Sequence, residues 1–150
     1  MTSYIEMYEA GGVEVHDRFP ESVRTTALAI GARFWEHTRV FGPDGTWWGL
    51  SPADPKDAVV SPLRRILAMT VYNPFRTLAL RHERRGTYQL SELKQRIREA
   101  VQKDDDILTQ FMDEGEILLA LDAASDFEQI VTLLKRMGEE QDVVECGARS

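Results

Sequence analysis

The side chains that could do chemistry in this chain are carboxylates, and they are concentrated towards its C-terminal end. Residues 104–145 carry thirteen acidic side chains and only two basic ones. Residues 64–103 carry ten basic side chains and three acidic ones. The net charge of −7 over 150 residues therefore conceals a much larger acidic excess at one end. A concentrated negative charge attracts and orients a basic partner.

Two acidic clusters are the best candidates for such a surface. One consists of Asp104, Asp105 and Asp106, and the other of Asp113, Glu114 and Glu116. They flank a short apolar segment, residues 107–112, which predicts a helix with both clusters on a common surface. Two other interpretations stay open, because carboxylates also cap helices and stabilise their N-termini, and because they could pair with the arginines upstream.

Motifs for other site chemistry are missing from the residue pattern. A calcium-binding EF-hand loop that starts at Asp104 needs an oxygen ligand and then a glycine where Leu108 and Thr109 stand. The three histidines lack metal-ligand spacing, and HExxH, CxxC, P-loop and GxSxG motifs are absent. We therefore predict no catalytic residue, no metal site and no cofactor. The single cysteine, Cys146, excludes an internal disulfide and favours a reducing compartment.

Two adjacent tryptophans, Trp47 and Trp48, are predicted to contact a partner. Successive residues of a strand point to opposite faces, so we expect one in the core and the other partly exposed as a hot spot. A competing hypothesis assembles an enzyme or small-ligand site from scattered residues. Those residues are Arg33, Glu36, His37 and Trp47. A deep apolar pocket with convergent polar groups would distinguish that hypothesis.

The elements that must position these residues change in type along the chain. Alternating patterns predict strands at residues 3–8 and 13–16 around a turn at Gly11-Gly12, and at 46–50 after a turn at 42–45. Residues 21–30 fit a helix and a strand equally well. Three prolines make residues 51–62 a loop, and helical spacing of apolar residues makes 63–72 a helix. A strand at 75–81 is expected to end at a turn over 84–86.

The last third of the chain predicts helices. Leu90, Leu93, Ile97 and Val101 recur at helical spacing, with Ser91 as the candidate N-cap. Residues 117–121 form another apolar face, and residues 125–128 have the capping-box pattern of a helix that ends near residue 138. The predicted fold is α+β, with a small antiparallel sheet from the N-terminal half packed against C-terminal helices. We predict one domain over residues 1–137 and a polar, frayed tail over 138–150.

These features favour a noncatalytic acidic protein that neutralises a basic protein partner. Immunity proteins, which occlude toxin enzymes that are often basic, belong to this class. An adaptor subunit of a larger assembly is a further alternative, which a large exposed apolar patch would favour. The negative charge disfavours nucleic acid and anionic membranes as partners. With no apolar stretch near the roughly 18 residues of a membrane span and no signal-peptide pattern, we expect a cytoplasmic protein.

Overall fold

The computed structural model confirms the predicted α+β class. It describes residues 2–8, 12–70, 75–103 and 112–148, and the side chains of residues 65, 70 and 138–148 are outside this description. The strands are β1 (Tyr4–Tyr8), β2 (Val13–His16), β3 (Ser22–Thr26), β4 (Thr38–Phe41), β5 (Thr46–Pro52) and β6 (Phe75–Thr87). The helices are α1 (Ala27–Gly31), α2 (Pro62–Thr70), α3 (Leu90–Lys103), α4 (Glu114–Ala123) and α5 (Phe127–Ala148), with 3-10 turns at Phe34–His37 and Pro55–Ala58.

The six strands form one antiparallel sheet in the order β2-β1-β4-β5-β6-β3. The predicted hairpin is present, with Tyr4 opposite His16 and Met7 opposite Val13. The turn between β4 and β5 is the predicted one: Gly45 adopts a φ of 81°. There the Asp44 carboxylate accepts a hydrogen bond from the Thr46 amide at 3.1 Å. Hydrogen bonds from Thr46 hold the pKa of Asp44 below its usual value.

Strand β6 is longer than the sequence predicted. The expected turn over residues 84–86 does not form, and the strand continues to Thr87. Arg84 and Gly86 instead pair with Trp48 and Trp47 of β5, across a register shift. The pairing of β5 therefore overrides the local turn tendency of an Arg-Arg-Gly segment.

Residues 21–30, whose sequence fits both a strand and a helix, form a strand followed directly by a helix. Strand β3 pairs with the first part of β6, and α1 starts directly after it. The Thr26 hydroxyl accepts a hydrogen bond from the Ala29 amide at 3.3 Å and so caps α1. A capping side chain at the strand end thus separates the two elements.

Consecutive residues of the strands point to opposite faces of the sheet and contribute to two apolar cores, one on each face. One core combines Ile5, Met7 and Phe41 with side chains of α3, α4 and α5. The other core lies on the reverse face and contains Ile30, Trp35, Val40, Leu50, Leu78 and Leu80. The C-terminal helices therefore cover one face of the sheet, and α1 with the 3-10 turn at Phe34–His37 contributes to the other.

Three predicted helix ends need correction. Helix α3 starts at Leu90, before Ser91, and the Glu92 carboxylate accepts a hydrogen bond from the Gln89 amide at 3.1 Å. Helix α5 is capped by Asp126, which accepts from the Gln129 amide at 2.8 Å, so the cap is one residue later than predicted. The Gln129 side chain accepts a hydrogen bond from the Ser125 amide at 2.8 Å. Helix α5 also continues past Gly138 to Ala148, since a glycine inside a helix costs only about 1 kcal/mol.

Candidate functional site

The acidic surface predicted from the sequence is described in part. Asp104, Asp105 and Asp106 lie outside the described residues. Asp113 precedes α4, and Glu114 and Glu116 occupy its first turn, where carboxylates stabilise a helix N-terminus. All three are exposed, and none forms an ion pair with another described residue. These three carboxylates are called the α4 acidic surface below.

Two acidic residues farther along the chain form contacts within the fold. Asp122 forms an ion pair with Arg98 of α3, and its carbonyl accepts a hydrogen bond from Lys94 at 3.2 Å. Asp126 caps α5. The pairing and capping interpretations therefore hold for these two residues, whereas the α4 acidic surface is left facing solvent.

The two tryptophans do not divide into a core residue and an exposed one. Both are half-buried, and they pack against different cores, as neighbours on a strand should. The guanidinium of Arg39 lies 4.8 Å from the centre of the Trp47 ring. Trp48 lies edge-on to Phe19 at 5.3 Å. Each ring therefore has contacts within the chain that account for its burial.

The residues of the rival site are only partly brought together. Arg33 and Glu36 form an ion pair of 2.9 Å, and with Trp47 they line a cleft of about 420 Å³. His37 lies in a neighbouring cleft of about 380 Å³, which Glu36 also lines. Arg39 and Arg85 add positive charge to the first cleft. The walls combine these charged residues with Trp35, Trp47 and Leu50, so the cleft differs from the deep apolar pocket that would favour the small-ligand hypothesis.

A more prominent feature is an exposed apolar surface around α2. Seven of the eight exposed large hydrophobic side chains among the described residues lie on α2, on α1, which packs against α2, or within five residues of the two ends of α2. This α2 surface consists of Leu28, Val59, Leu63, Ile66, Leu67, Met69 and Phe75. The exposed fraction is 67% for Leu63 and 71% for Met69. A soluble protein rarely leaves such side chains together in water unless they bind something.

Contacts between elements place α1 beside α2 and connect the residues that flank α2 in the chain. Helix α1, which carries Leu28, packs against α2. Phe75 pairs with Thr26, the residue before α1. The guanidinium of Arg76 donates a hydrogen bond of 2.6 Å to the carbonyl of Asp57, which lies two residues before Val59. The α2 surface therefore combines α1 with α2 and with the residues that flank α2 in the chain.

The charges bordering the α2 surface are mainly positive. The Arg24 guanidinium lies 5.0 Å from the centre of the Phe75 ring. Arg64 is exposed within α2, and Arg76 follows Phe75 in β6 but lies on the opposite face of the strand. Asp57 is the acidic residue that the Arg76 contact brings close to this border. The surface therefore combines an apolar centre with an arginine border.

A third cluster, missed in the sequence, lies on the hairpin of β1 and β2. Glu6 and Glu14 are directly opposite each other, and His16 is near both. The hydrogen bond to Glu6 raises the pKa of His16, against an opposing effect of burial. Burial and the two carboxylates raise the pKa of Tyr8, whose hydroxyl donates to Glu14. The predicted hairpin, whose alternation puts Glu6, Glu14 and His16 at polar positions, was the signal that could have revealed this cluster.

None of the helices in the described ranges has the length and apolarity that crossing a bilayer requires.

No protein family model, curated protein or solved structure matches the chain.

Proposed function

We propose that this chain is a noncatalytic protein-binding domain that docks onto its partner through the α2 surface. The observation that carries the proposal is the set of seven exposed large hydrophobic side chains on α2, on the neighbouring α1 and in the residues that flank α2. Burying apolar area there contributes roughly 25 cal/mol per Å², the main driving force of protein association. This is the feature expected of the adaptor alternative.

The partner's chemistry follows from the pattern of the surface. Leu63, Ile66 and Leu67 have the spacing with which an amphipathic helix inserts into an apolar groove of another protein. The arginine border requires carboxylates around that groove, since complementary charge steers association and fixes orientation. The occupant is therefore a protein with an apolar groove edged by acidic residues.

The test compares two glutamate variants of the full chain. In the double variant Leu63→Glu and Met69→Glu, the α2 surface acquires two charges that binding would have to desolvate. The variant Leu119→Glu is a matched control, because Leu119 is 72% exposed and lies on α4. Proteins retained by each chain are identified by mass spectrometry, and the purified candidate is then titrated by calorimetry.

The expected result is one partner that binds the unaltered chain and the Leu119 variant equally, and that binds the double variant at least tenfold more weakly. Equal binding of a purified partner to all three chains would contradict the proposal. It would also be overturned if flotation showed α2-dependent binding to phosphatidylserine vesicles, or if sedimentation showed that α2 instead joins two copies of this chain.

A second candidate function is the predicted inhibitor of a basic protein, such as a toxin enzyme. The observation that favours it is the α4 acidic surface, whose three carboxylates are exposed and have no ion-pair partner among the described residues. Charge of this kind acts chiefly on the association rate.

The test of this candidate is kinetic and has its own control. Replacing Asp113, Glu114 and Glu116 by amides should slow association with the basic partner and flatten its dependence on salt. The variant Glu21→Gln, an exposed carboxylate on the segment before β3, should leave both unchanged. Identical association rates for the two variants at low salt would refute the inhibitor hypothesis.

A further inference from the structure

The register of the β1–β2 hairpin places three potential ligands on one face. Glu6 lies directly opposite Glu14 in the antiparallel pairing, and His16 is two residues beyond Glu14 on the same strand. Residues two apart on a strand share a face, so all three side chains project together. Carboxylates directly opposite each other on neighbouring strands repel, which makes the pair unfavourable without a positive group between them.

The distances within this cluster are short. The imidazole Nε2 of His16 lies 2.6 Å from the Glu6 carboxylate and 3.5 Å from the Glu14 carboxylate. One ligand atom from each residue lies within 4.8 Å of the others. Zinc ligands at 2.0–2.2 Å in tetrahedral geometry stand roughly 3.4 Å apart, so shifts of about 1 Å would suffice to coordinate an ion.

Burial sets this cluster apart from ordinary surface carboxylates. The side chain of Glu6 is only 4% exposed, whereas that of His16 is 32% exposed and that of Glu14 57%. A buried carboxylate is costly unless a cation or strong donors accompany it. The half-exposed side provides an entry path and leaves room for water ligands. Across the described residues, this is the one group of three such side chains close enough to share an ion.

The hydroxyl of Tyr8 adds an outer contact of the kind that metal sites use. It donates a hydrogen bond of 3.3 Å to Glu14, so it orients the more exposed of the two carboxylates. Groups that hold the ligands in place contribute measurably to metal affinity. One imidazole with two carboxylates suits zinc or a related divalent transition metal better than calcium, which prefers six to eight oxygens.

We propose that Glu6, Glu14 and His16 form a binding site for a divalent transition-metal ion of the zinc class. Three protein ligands leave a fourth position for water or for a group of another molecule. The site lies on the hairpin of β1 and β2, and it is independent of the α2 surface and of the proposed docking function.

The test is calorimetric titration of the purified, chelator-treated full chain with zinc chloride. We expect one ion per chain, with an affinity at least tenfold lower in Glu14→Gln and in His16→Gln. These two positions are chosen because their partial exposure makes the substitutions compatible with folding, which circular dichroism verifies. The matched controls Glu83→Gln and His37→Gln, both exposed, should bind zinc like the unaltered chain.

A second readout reports the ligands directly. Cobalt(II) in a four-coordinate site with one imidazole and two carboxylates gives an intense visible absorption, which both ligand variants should lose. The proposal is overturned if zinc binds the unaltered chain no more tightly than the double variant Glu14→Gln and His16→Gln. It is equally overturned if the control variants lose as much affinity as the ligand variants.

Discussion

Helices α2 and α3 have the same kind of amphipathic sequence and opposite environments. In α3, the apolar stripe is closed off from water, with Leu93 and Ile97 both at 0% exposure. In α2, Leu63 and Leu67 are exposed, and Ala68 is buried instead. Helix α3 lies against the sheet residues Ile5, Met7 and Phe41, together with α4 and α5. Helix α2 packs against the five-residue helix α1.

The comparison shows what an amphipathic pattern can and cannot predict. Apolar residues at spacings of three and four indicate that a helix face will be covered, because water contact with that face is unfavourable. The pattern contains no information on whether the cover comes from the same chain. In α3 the cover is intramolecular. In α2 the corresponding face is exposed, and it is the face that we propose for docking.

Hydrogen exchange should show the largest difference between the two helices. Amides in the middle of α3 are expected to exchange only on global unfolding, whereas those of α2 open locally at a free energy several kcal/mol lower. Mass spectrometry of exchanged peptides measures both helices in one experiment. Equal protection of the two helices in the free chain would remove the basis of the comparison.

Truncation of side chains to alanine should show the next largest difference between the two helices, in the free energy of unfolding. Replacing Ile97 by alanine removes a fully buried side chain and should lower the free energy of unfolding by about 2–5 kcal/mol. Replacing Leu63 by alanine should change it by less than about 0.5 kcal/mol, since that side chain is mostly in water. Urea denaturation of both variants gives the two values, and similar losses would contradict the burial difference.

For partner binding, in contrast to stability, we expect the exposed side chains of α2 to matter more than the buried ones of α3. The double variant Leu63→Ala and Met69→Ala should retain stability but weaken partner binding at least tenfold, about 1.4 kcal/mol, if these residues are interface anchors. Leu119→Ala serves as the control for loss of an exposed leucine. Calorimetry with the purified partner measures the effect, and unchanged affinity would assign the contact to another surface.

The smallest effect concerns the outer side of α3. Asp122 of α4 pairs with Arg98, and this ion pair is partly open to solvent. Asp122→Asn should lower the free energy of unfolding by about 0.2–1 kcal/mol, and less at high salt. Thermal unfolding at low and high salt checks this value. A loss as large as that of Ile97→Ala would mean that the helix layer depends on charge rather than on apolar packing.

Much of the fold was accessible from local patterns. The hairpin of β1 and β2, the turn before β5 and the stripe of α3 follow from alternation, turn residues and helical spacing, and all three are present. The continuation of β6 past residue 84 was not accessible, because it depends on pairing with β5, which is distant in sequence. Local propensity gives way where such pairing is available.

The candidate sites were less predictable than the fold. The acidic residues 113, 114 and 116 are exposed as the inhibitor hypothesis requires, but their partner stays a prediction. The α2 surface could not be inferred, because exposure of Leu63 depends on the position of every other element. The cluster of Glu6, Glu14 and His16 depends on a strand register that the glycine turn only suggests.

The pairing of β6 also determines when the sheet can be completed during synthesis of the chain. Strand β3 lies at the sheet edge beside β6, and paired residues such as Thr26 and Phe75 are about 50 positions apart in sequence. A nascent chain that has not yet released β6 from the ribosome therefore carries β3 as an unpaired edge, the state most open to wrong pairing between molecules. Emergence of this one strand joins β3 to the four strands β2, β1, β4 and β5, which pair with one another without it.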